Sequence, residues 1–335
     1  MTRTRPVIPA PSRIGVYVAA LLAAAAIAMS FVVSACGAPD RKATADQVQQ
    51  AITGMPGVQN ATVSYTNDGE HGATVHIYVY LPDAPEKQIE DVVARINTVR
   101  GDAFKAFDET AEFAVTSSRT VLVRRGADLD PSSIAADAVG LRRLTAAVDA
   151  ADVSIFRNKS TADLKLNQVS TPSDDVFSAL RAAFGDDAHF DVHVLPAGNT
   201  STPVWTVSFP FTAGDQQRVR QQMAALPVSV STITVGLPGT IVDLGVGLHN
   251  RDAAYQDLVS VITITGAGSA HALDLSWRLE GERPDMSLHF GGSVDVGACN
   301  YIPNSEVELH PGTYLTPDAL ALQQRLRKEF DTCPK

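Results

Sequence analysis

Ala73-Thr74-Val75-His76-Ile77-Tyr78-Val79-Tyr80-Leu81 alternates apolar and polar side chains without a break. Strict period-two alternation is the signature of a strand with one buried face. Val75, Ile77 and Val79 form one face; Thr74, His76, Tyr78 and Tyr80 form the other. Before it, Val48, Ile52 and Met55 recur at helical spacing and lead into Pro56-Gly57-Val58. A first strand follows at Ala61, Val63 and Tyr65, then a polar turn, Asn67-Asp68-Gly69-Glu70. After it, Pro85 opens a second helix with Ile89, Val92, Val93 and Ile96 on one side. Strands at 111–125 complete a block of helix–strand–strand–helix–strand–strand.

The block recurs. At 214–264, Val219, Met223 and Leu226 give a helical face closed by Pro227. Val230, Ile233 and Val235 give a strand, Gly236-Leu237-Pro238-Gly239 a turn, and Val242, Leu244, Val246 and Leu248 the second strand. Ala253 to Ile262 reads as the second helix, with strands at 272–279 and 285–290. A weaker copy occupies 130–212, with Ser173 expected to cap its second helix. These patterns predict an α+β fold of tandem two-layer sandwich units, three repeats plus a C-terminal helix, with helices on one face of antiparallel strands. The expected units are 44–129, 130–212 and 213–295. A tail at 296–335 follows, its helix starting at Thr316-Pro317-Asp318. A single irregular α+β fold is the alternative.

The first unit is similar to the BON-type envelope module, which also runs helix–strand–strand–helix–strand. Pro56-Gly57-Val58 and the alternating strand after Gly72 carry the likeness. Leu81-Pro82 stands where such modules usually place a glycine. The resemblance implies binding to envelope lipids or neighbouring proteins.

Residues 1–35 read as an export signal rather than as fold. Arg3, Arg5 and Arg13 precede a 20-residue apolar run at 14–33, then Val33-Ser34-Ala35-Cys36. The stretch resembles a bacterial lipobox, with Val33 at the position usually held by Leu. The resemblance implies a bacterial lipoprotein in which Cys36 would be diacylated as the mature N-terminus, residues 36–43 would form a lipidated tether, and the chain would sit on the extracytoplasmic face of the cell membrane. Two acyl chains suffice for stable attachment. An uncleaved membrane anchor is the alternative reading of the same run. The Ala-, Val-, Asp- and Arg-rich composition with few Lys points to an actinobacterial type.

The chain of 335 residues carries a net charge of −10, and −13 once residues 1–35 are removed. Such an acidic balance excludes the basic footprint that nucleic-acid binding needs. With Cys36 taken by lipid, Cys299 and Cys333 remain and are expected to pair in an exported chain.

No nucleophile elbow, phosphate loop, zinc-binding helix motif or dinucleotide fingerprint is present. No catalytic residue and no cofactor are assigned. His189, Asp191 and His193 share a face if they lie on one strand, which makes them weak metal candidates; a solvated face opposite Phe190, Val192 and Val194 explains the whole stretch and is the leading reading. His76, Tyr78 and Tyr80 form an aromatic row that fits either a partner surface or packing between units. Arg124-Arg125 and Arg142-Arg143 are two basic pairs, readable as solvated surface or as contacts for anions. The leading expectation is a non-catalytic, lipid-anchored envelope protein that binds or scaffolds an envelope protein or lipid. The alternatives are a lipid or glycolipid carrier, which needs an apolar cavity, and an envelope enzyme with a site assembled from distant residues.

Overall fold

The computed structural model describes residues 40–68, 72–159, 161–198, 202–282, 288–301 and 306–333. The apolar leader, Cys36, Gly69-Glu70, Ser160, residues 199–201 and Pro303 lie outside them. So do residues 285–287 of the strand expected at 285–290; the strand that follows Leu273–Leu279 lies instead at Gly291–Val296.

The elements follow in the order α1 (Lys42–Ile52), β1 (Asn60–Asp68), β2 (Gly72–Tyr80), α2 (Glu86–Arg100), β3 (Asp108–Ala114) and β4 (Thr120–Arg125). Next come α3 (Pro131–Ala147), β5 (Asp152–Arg157), β6 (Ala162–Val169), α4 (Ser173–Phe184), β7 (Asp191–Pro196) and β8 (Val204–Ser208). The last part is α5 (Ala213–Ala224), β9 (Ser229–Gly236), β10 (Thr240–Leu248), α6 (Ala254–Thr265), β11 (Leu273–Leu279) and β12 (Gly291–Val296). Two single turns, α7 (Glu306–Leu309) and α8 (Pro311–Tyr314), lead to α9 (Pro317–Phe330).

All twelve strands form one mixed sheet in sequence order. Within each hairpin the strands are antiparallel, as in β1–β2 and β9–β10. Between hairpins a helix crosses over, so β2–β3, β4–β5, β6–β7, β8–β9 and β10–β11 pair in parallel. A crossover of helical length returns the chain in the same direction, which is why the sheet is mixed and not wholly antiparallel. The repeating unit is helix–strand–strand, and each block read from the sequence holds two of them. The sheet runs through the loops near 129 and 212 with the same parallel pairing that joins hairpins elsewhere.

Burial follows the alternation. Val75, Ile77 and Val79, Leu164 and Leu166, and Leu273 and Leu275 are buried beneath Ile89, Val92, Ile96, Leu141, Leu144, Leu258 and Val261 of the helices. Under α4 the core is a run of rings: Phe177 packs edge-on against Trp205 and Phe211, and Phe190 packs edge-on against Phe184 and face-on against Phe209. Gly140 lets α3 approach α4. A Cβ there would stand 2.4 Å from the Phe184 ring. Gly57 turns the chain after α1 with a φ of +86°, a conformation open to glycine at no steric cost.

Helix starts are capped where side chains allow. Asp130 accepts the Ser133 N–H at 2.6 Å with Pro131 in the first turn, and Thr212 and Asp215 form a capping box. Thr316 caps α9 as expected, with Pro317 as its first residue. Ser173, expected as a cap, is the first helical residue of α4; Pro172 holds the cap position and offers no side-chain acceptor.

The basic pairs are split by the pleat and the helix turn. Arg125 is buried, its Nη2 donating to Asp137 Oδ2 at 2.5 Å and to Ser133. Arg157 Nε donates to the same oxygen at 2.9 Å. This trio ties α3 to β4 and β5. Arg142 donates to the carbonyls of Leu81, Ala84 and Val115, holding the loops beyond β2 and β3. Neither side chain is solvated surface.

The tail is tied at several points. Cys299 and Cys333 form a disulfide with their Cα atoms 5.0 Å apart. Arg327 donates to Glu308 and to the Ser293 carbonyl, and its guanidinium lies 3.9 Å from the Tyr301 ring centre. Burial pushes the Tyr301 hydroxyl up to about 12. Among the described residues no helix is long and apolar enough to cross a membrane.

Candidate functional site

Helices cover one face of the sheet, and neighbouring helices meet on it. α1 packs on α2, α2 on α3, and α3 on α4. α4 and α5 meet through Gln216, which donates to Asp174 Oδ1 and accepts from Arg181. Gln222 of α5 reaches the last carbonyls of α6, and Tyr255 of α6 donates to Glu329 of α9. The other face is left to the outward side chains of each strand. Strand register places these in rows.

Toward the N-terminal end the register sets Tyr78 beside Glu112, Glu112 beside Arg124, and Arg124 beside Phe156. Glu112 is shared: His76 Nε2 lies 3.2 Å from one carboxylate oxygen and Arg124 Nε 3.0 Å from the other. The expected row of His76, Tyr78 and Tyr80 is therefore on the uncovered face, half-buried by its neighbours. Burial raises the Tyr78 hydroxyl, with Tyr80 and Glu112 adding to the effect. The Tyr78 phenol therefore stays a neutral donor at ordinary pH.

Toward the C-terminal end the same face changes character. Gly245 of β10 lies between Thr232 and Ser276 in register, and Gly247 lies beside Arg278. A Cβ on Gly245 would stand 2.3 Å from Thr232 Oγ1. Over Gly245 lies a trough of about 500 Å³ lined by Val204, Ser231, Thr232, Ser276, Trp277 and His289. A second hollow of about 560 Å³ lies at the β9–β10 turn, lined by Leu237, Thr240, Ala272, Asp274, Asp295 and Asn300. Asp243, Asp274 and Asp295 stand side by side on three adjacent strands. Burial raises Asp243. Burial, then the charges of Asp243 and Asp295, raises Asp274 against the pull of Arg327. Asp295 accepts the Asn300 N–H.

The metal candidates are separated. β7 begins at Asp191, so His189 falls in the preceding turn with Nδ1 2.7 Å from the Asp187 carbonyl. Asp191 accepts from Ser208 at 2.6 Å. His193 lies 3.2 Å from Thr206 Oγ1 and 3.8 Å from Asp163. Among the described residues no group of three His, Cys, Asp or Glu has metal-binding geometry.

One Ser–carboxylate–His contact occurs. Ser229 Oγ donates to Glu280 Oε1, and His249 Nδ1 meets Glu280 Oε2, both at 2.5 Å. These bonds hold the Glu280 carboxyl below its usual range. The carboxylate stands between the other two, so the hydroxyl proton is directed to Glu280 and not to the imidazole. A nucleophile needs the reverse order, with hydroxyl on imidazole.

Sequence reasoning missed the acidic row and the trough. Asp243, Gly245 and Gly247 alternate visibly, but their alignment with Asp274, Ser276 and Asp295 needs the register of three strands. Compared with protein-family models, characterised proteins and solved structures, the chain matches none.

Proposed function

We propose that this chain is a non-catalytic, lipid-anchored envelope protein that binds through the uncovered face of its sheet on the outer side of the cytoplasmic membrane. The observation that carries the reading is the asymmetry of the sheet. One face is sealed by a row of helices. The other presents, across twelve strands, an aromatic and ion-paired patch at one end and a hydroxyl-lined trough at the other. Half-buried aromatics with polar tips and open, hydrogen-bonding hollows are the chemistry of a recognition surface. The BON-like order of elements in the first unit and the lipobox-like Cys36 support an envelope setting.

A lipid carrier requires a cavity lined by apolar side chains. Here most apolar side chains fill the layer between helices and sheet, and the two hollows described above are open and mixed in lining, with Val204 and Trp277 beside Ser and Thr in one and Leu237 and Val242 beside Asp and Asn in the other, so neither is an enclosed apolar cavity. Binding on an open face accounts for both facts.

Cys36→Ser tests the anchor: the variant is expected to leave the membrane fraction, and continued membrane attachment would remove that half of the reading. Native mass spectrometry with solvent extraction tests the binding mode. A mass without bound lipid agrees with a surface binder. Lipid retained near one equivalent would contradict it and favour the carrier.

A further inference from the structure

We infer that β1 is a pairing edge, and that its partner is β1 of a second copy of this chain, joined antiparallel about Ser64. An edge strand presents unpaired N–H and C=O groups, and proteins normally blunt it with a short length, a charge, a proline, a bulge or a covering element. β12, at the other edge, uses two of these. It is six residues long, and it is covered: Ser293 N–H donates to Gln323 Oε1, Ser293 O accepts from Arg327, and Asp295 N–H donates to Tyr301.

β1 uses almost none. It is nine residues long, its register with β2 has no bulge, and Asn60 to Asn67 contains no charge and no proline. Among the described residues one side chain reaches its edge: Gln49 of α1 accepts the Val63 N–H at 2.9 Å. That bond shows which way the strand points. In an antiparallel ladder the outward groups alternate, so Ala61, Val63 and Tyr65 direct their N–H and C=O away from β2. Among the described residues Ala61 and Tyr65 have no backbone partner on that side.

Three arguments select a second copy as the occupant. Symmetric pairing about Ser64 sets Val63 opposite Tyr65, so the outward groups of each meet those of the other across the join. The strand is uncharged over Asn60–Asn67 in a chain of net charge −10, so two copies do not repel along the join. The far edge is closed by α9, which blocks head-to-tail stacking of β1 on β12, whereas β1 on β1 gives a closed dimer. The two-fold axis normal to the sheet keeps both helix layers on one side. It also brings both N-terminal segments to the join, since the Arg41 N–H donates to Tyr65 Oη. Gln49 releases Val63 when the strands meet. The inference does not depend on the proposed function.

In this register Ser64 faces Ser64 of the second copy as a non-hydrogen-bonded pair, with Cα atoms about 4.5 Å apart. That spacing admits a disulfide. Ser64 is exposed, so its substitution spares the core. Full-length Ser64→Cys is expected to form a dimer of twice the chain mass under mild oxidation in membranes, while Thr232→Cys, exposed at mid-sheet, is not. Sedimentation of the full chain in detergent is expected to show a dimer, and Ser64→Lys is expected to weaken it by about tenfold or more by opposing like charges. A Ser64→Cys thiol that labels fully yet does not cross-link overturns the inference. So does cross-linking to a different protein, or a wild-type chain that stays monomeric at all concentrations.

Discussion

At β12 the outer backbone of Ser293 is bonded to Gln323 and Arg327, and a disulfide at Cys299–Cys333 fastens the tail behind it. At β1 a single amide, Gln49, reaches the edge. The helix layers differ in the same sense. α1 to α4 pack successively on one another, Gly140 of α3 against Phe184 of α4, with Asp137 clamped between Arg125 and Arg157 underneath. From α4 to α9 the contacts are Gln216, Gln222, Tyr255 and an Arg325 guanidinium 3.3 Å from the Tyr255 ring centre. The first part gains its order from close helix contacts over a buried core and from ion pairs beneath them. The last part has looser helix contacts and is held by a covalent tie and polar bonds at its rim. A repeating fold can therefore be finished in two ways, and the choice decides which end is left available for other molecules.

The sharpest way to break this contrast is to remove the carboxylate under α3. Asp137→Ala leaves two guanidinium groups, one fully buried, without their counter-charge. The expected loss is about 3–5 kcal/mol of stability, read by denaturant melting, with hydrogen exchange rising first in β4, β5 and α3. Cys333→Ser acts at the other end. Its expected cost is about 2–4 kcal/mol, with lost protection centred on β12 and α9. An equal loss across β2 to β5 would show that the two ends unfold as one unit.

Gly140→Ala probes the interlocked helices alone. The added methyl meets the Phe184 ring and is expected to cost about 1–3 kcal/mol by overpacking, seen in the same melts. The smallest effect has the opposite sign. Asp243 and Asp274 are held above their unfolded values, so the folded chain keeps protons that the unfolded chain has released. Their burial therefore costs stability near neutrality, and that cost is relieved as pH falls through the raised values. Asp274→Asn is expected to raise Tm by about 1–2 °C at pH 7, with the gain vanishing below about pH 4.

Much of the fold was legible because both periodicities are strong. Val75, Ile77 and Val79 declare a strand, and Ile89, Val92, Val93 and Ile96 declare a helix, without help from the rest of the chain. The size of the repeat was less legible. Two successive helix–strand–strand turns look like one longer block when Met55-Pro56 and Leu226-Pro227 are the most similar landmarks, and those are two blocks apart. Parallel pairing between hairpins leaves no local mark, so the sheet read as antiparallel. Cys299 and Cys333 were readable by elimination. His76, Tyr78 and Tyr80 could be set on one face from alternation, but their partners Glu112 and Arg124 come from other strands. Arg125 and Arg142 misled for the same reason: a charged pair on paper says nothing about which member the pleat turns inward.

The uncovered sheet face is the proposed binding surface. A photo-reactive amino acid placed singly at Tyr80, Lys165 and Ser276 on that face, and at Gln47 and Arg220 on the helix layer, addresses it directly in intact cells. The prediction is cross-linked adducts from the sheet-face positions and none from the helix positions. Adducts confined to Gln47 and Arg220 would contradict it and move recognition to the helices.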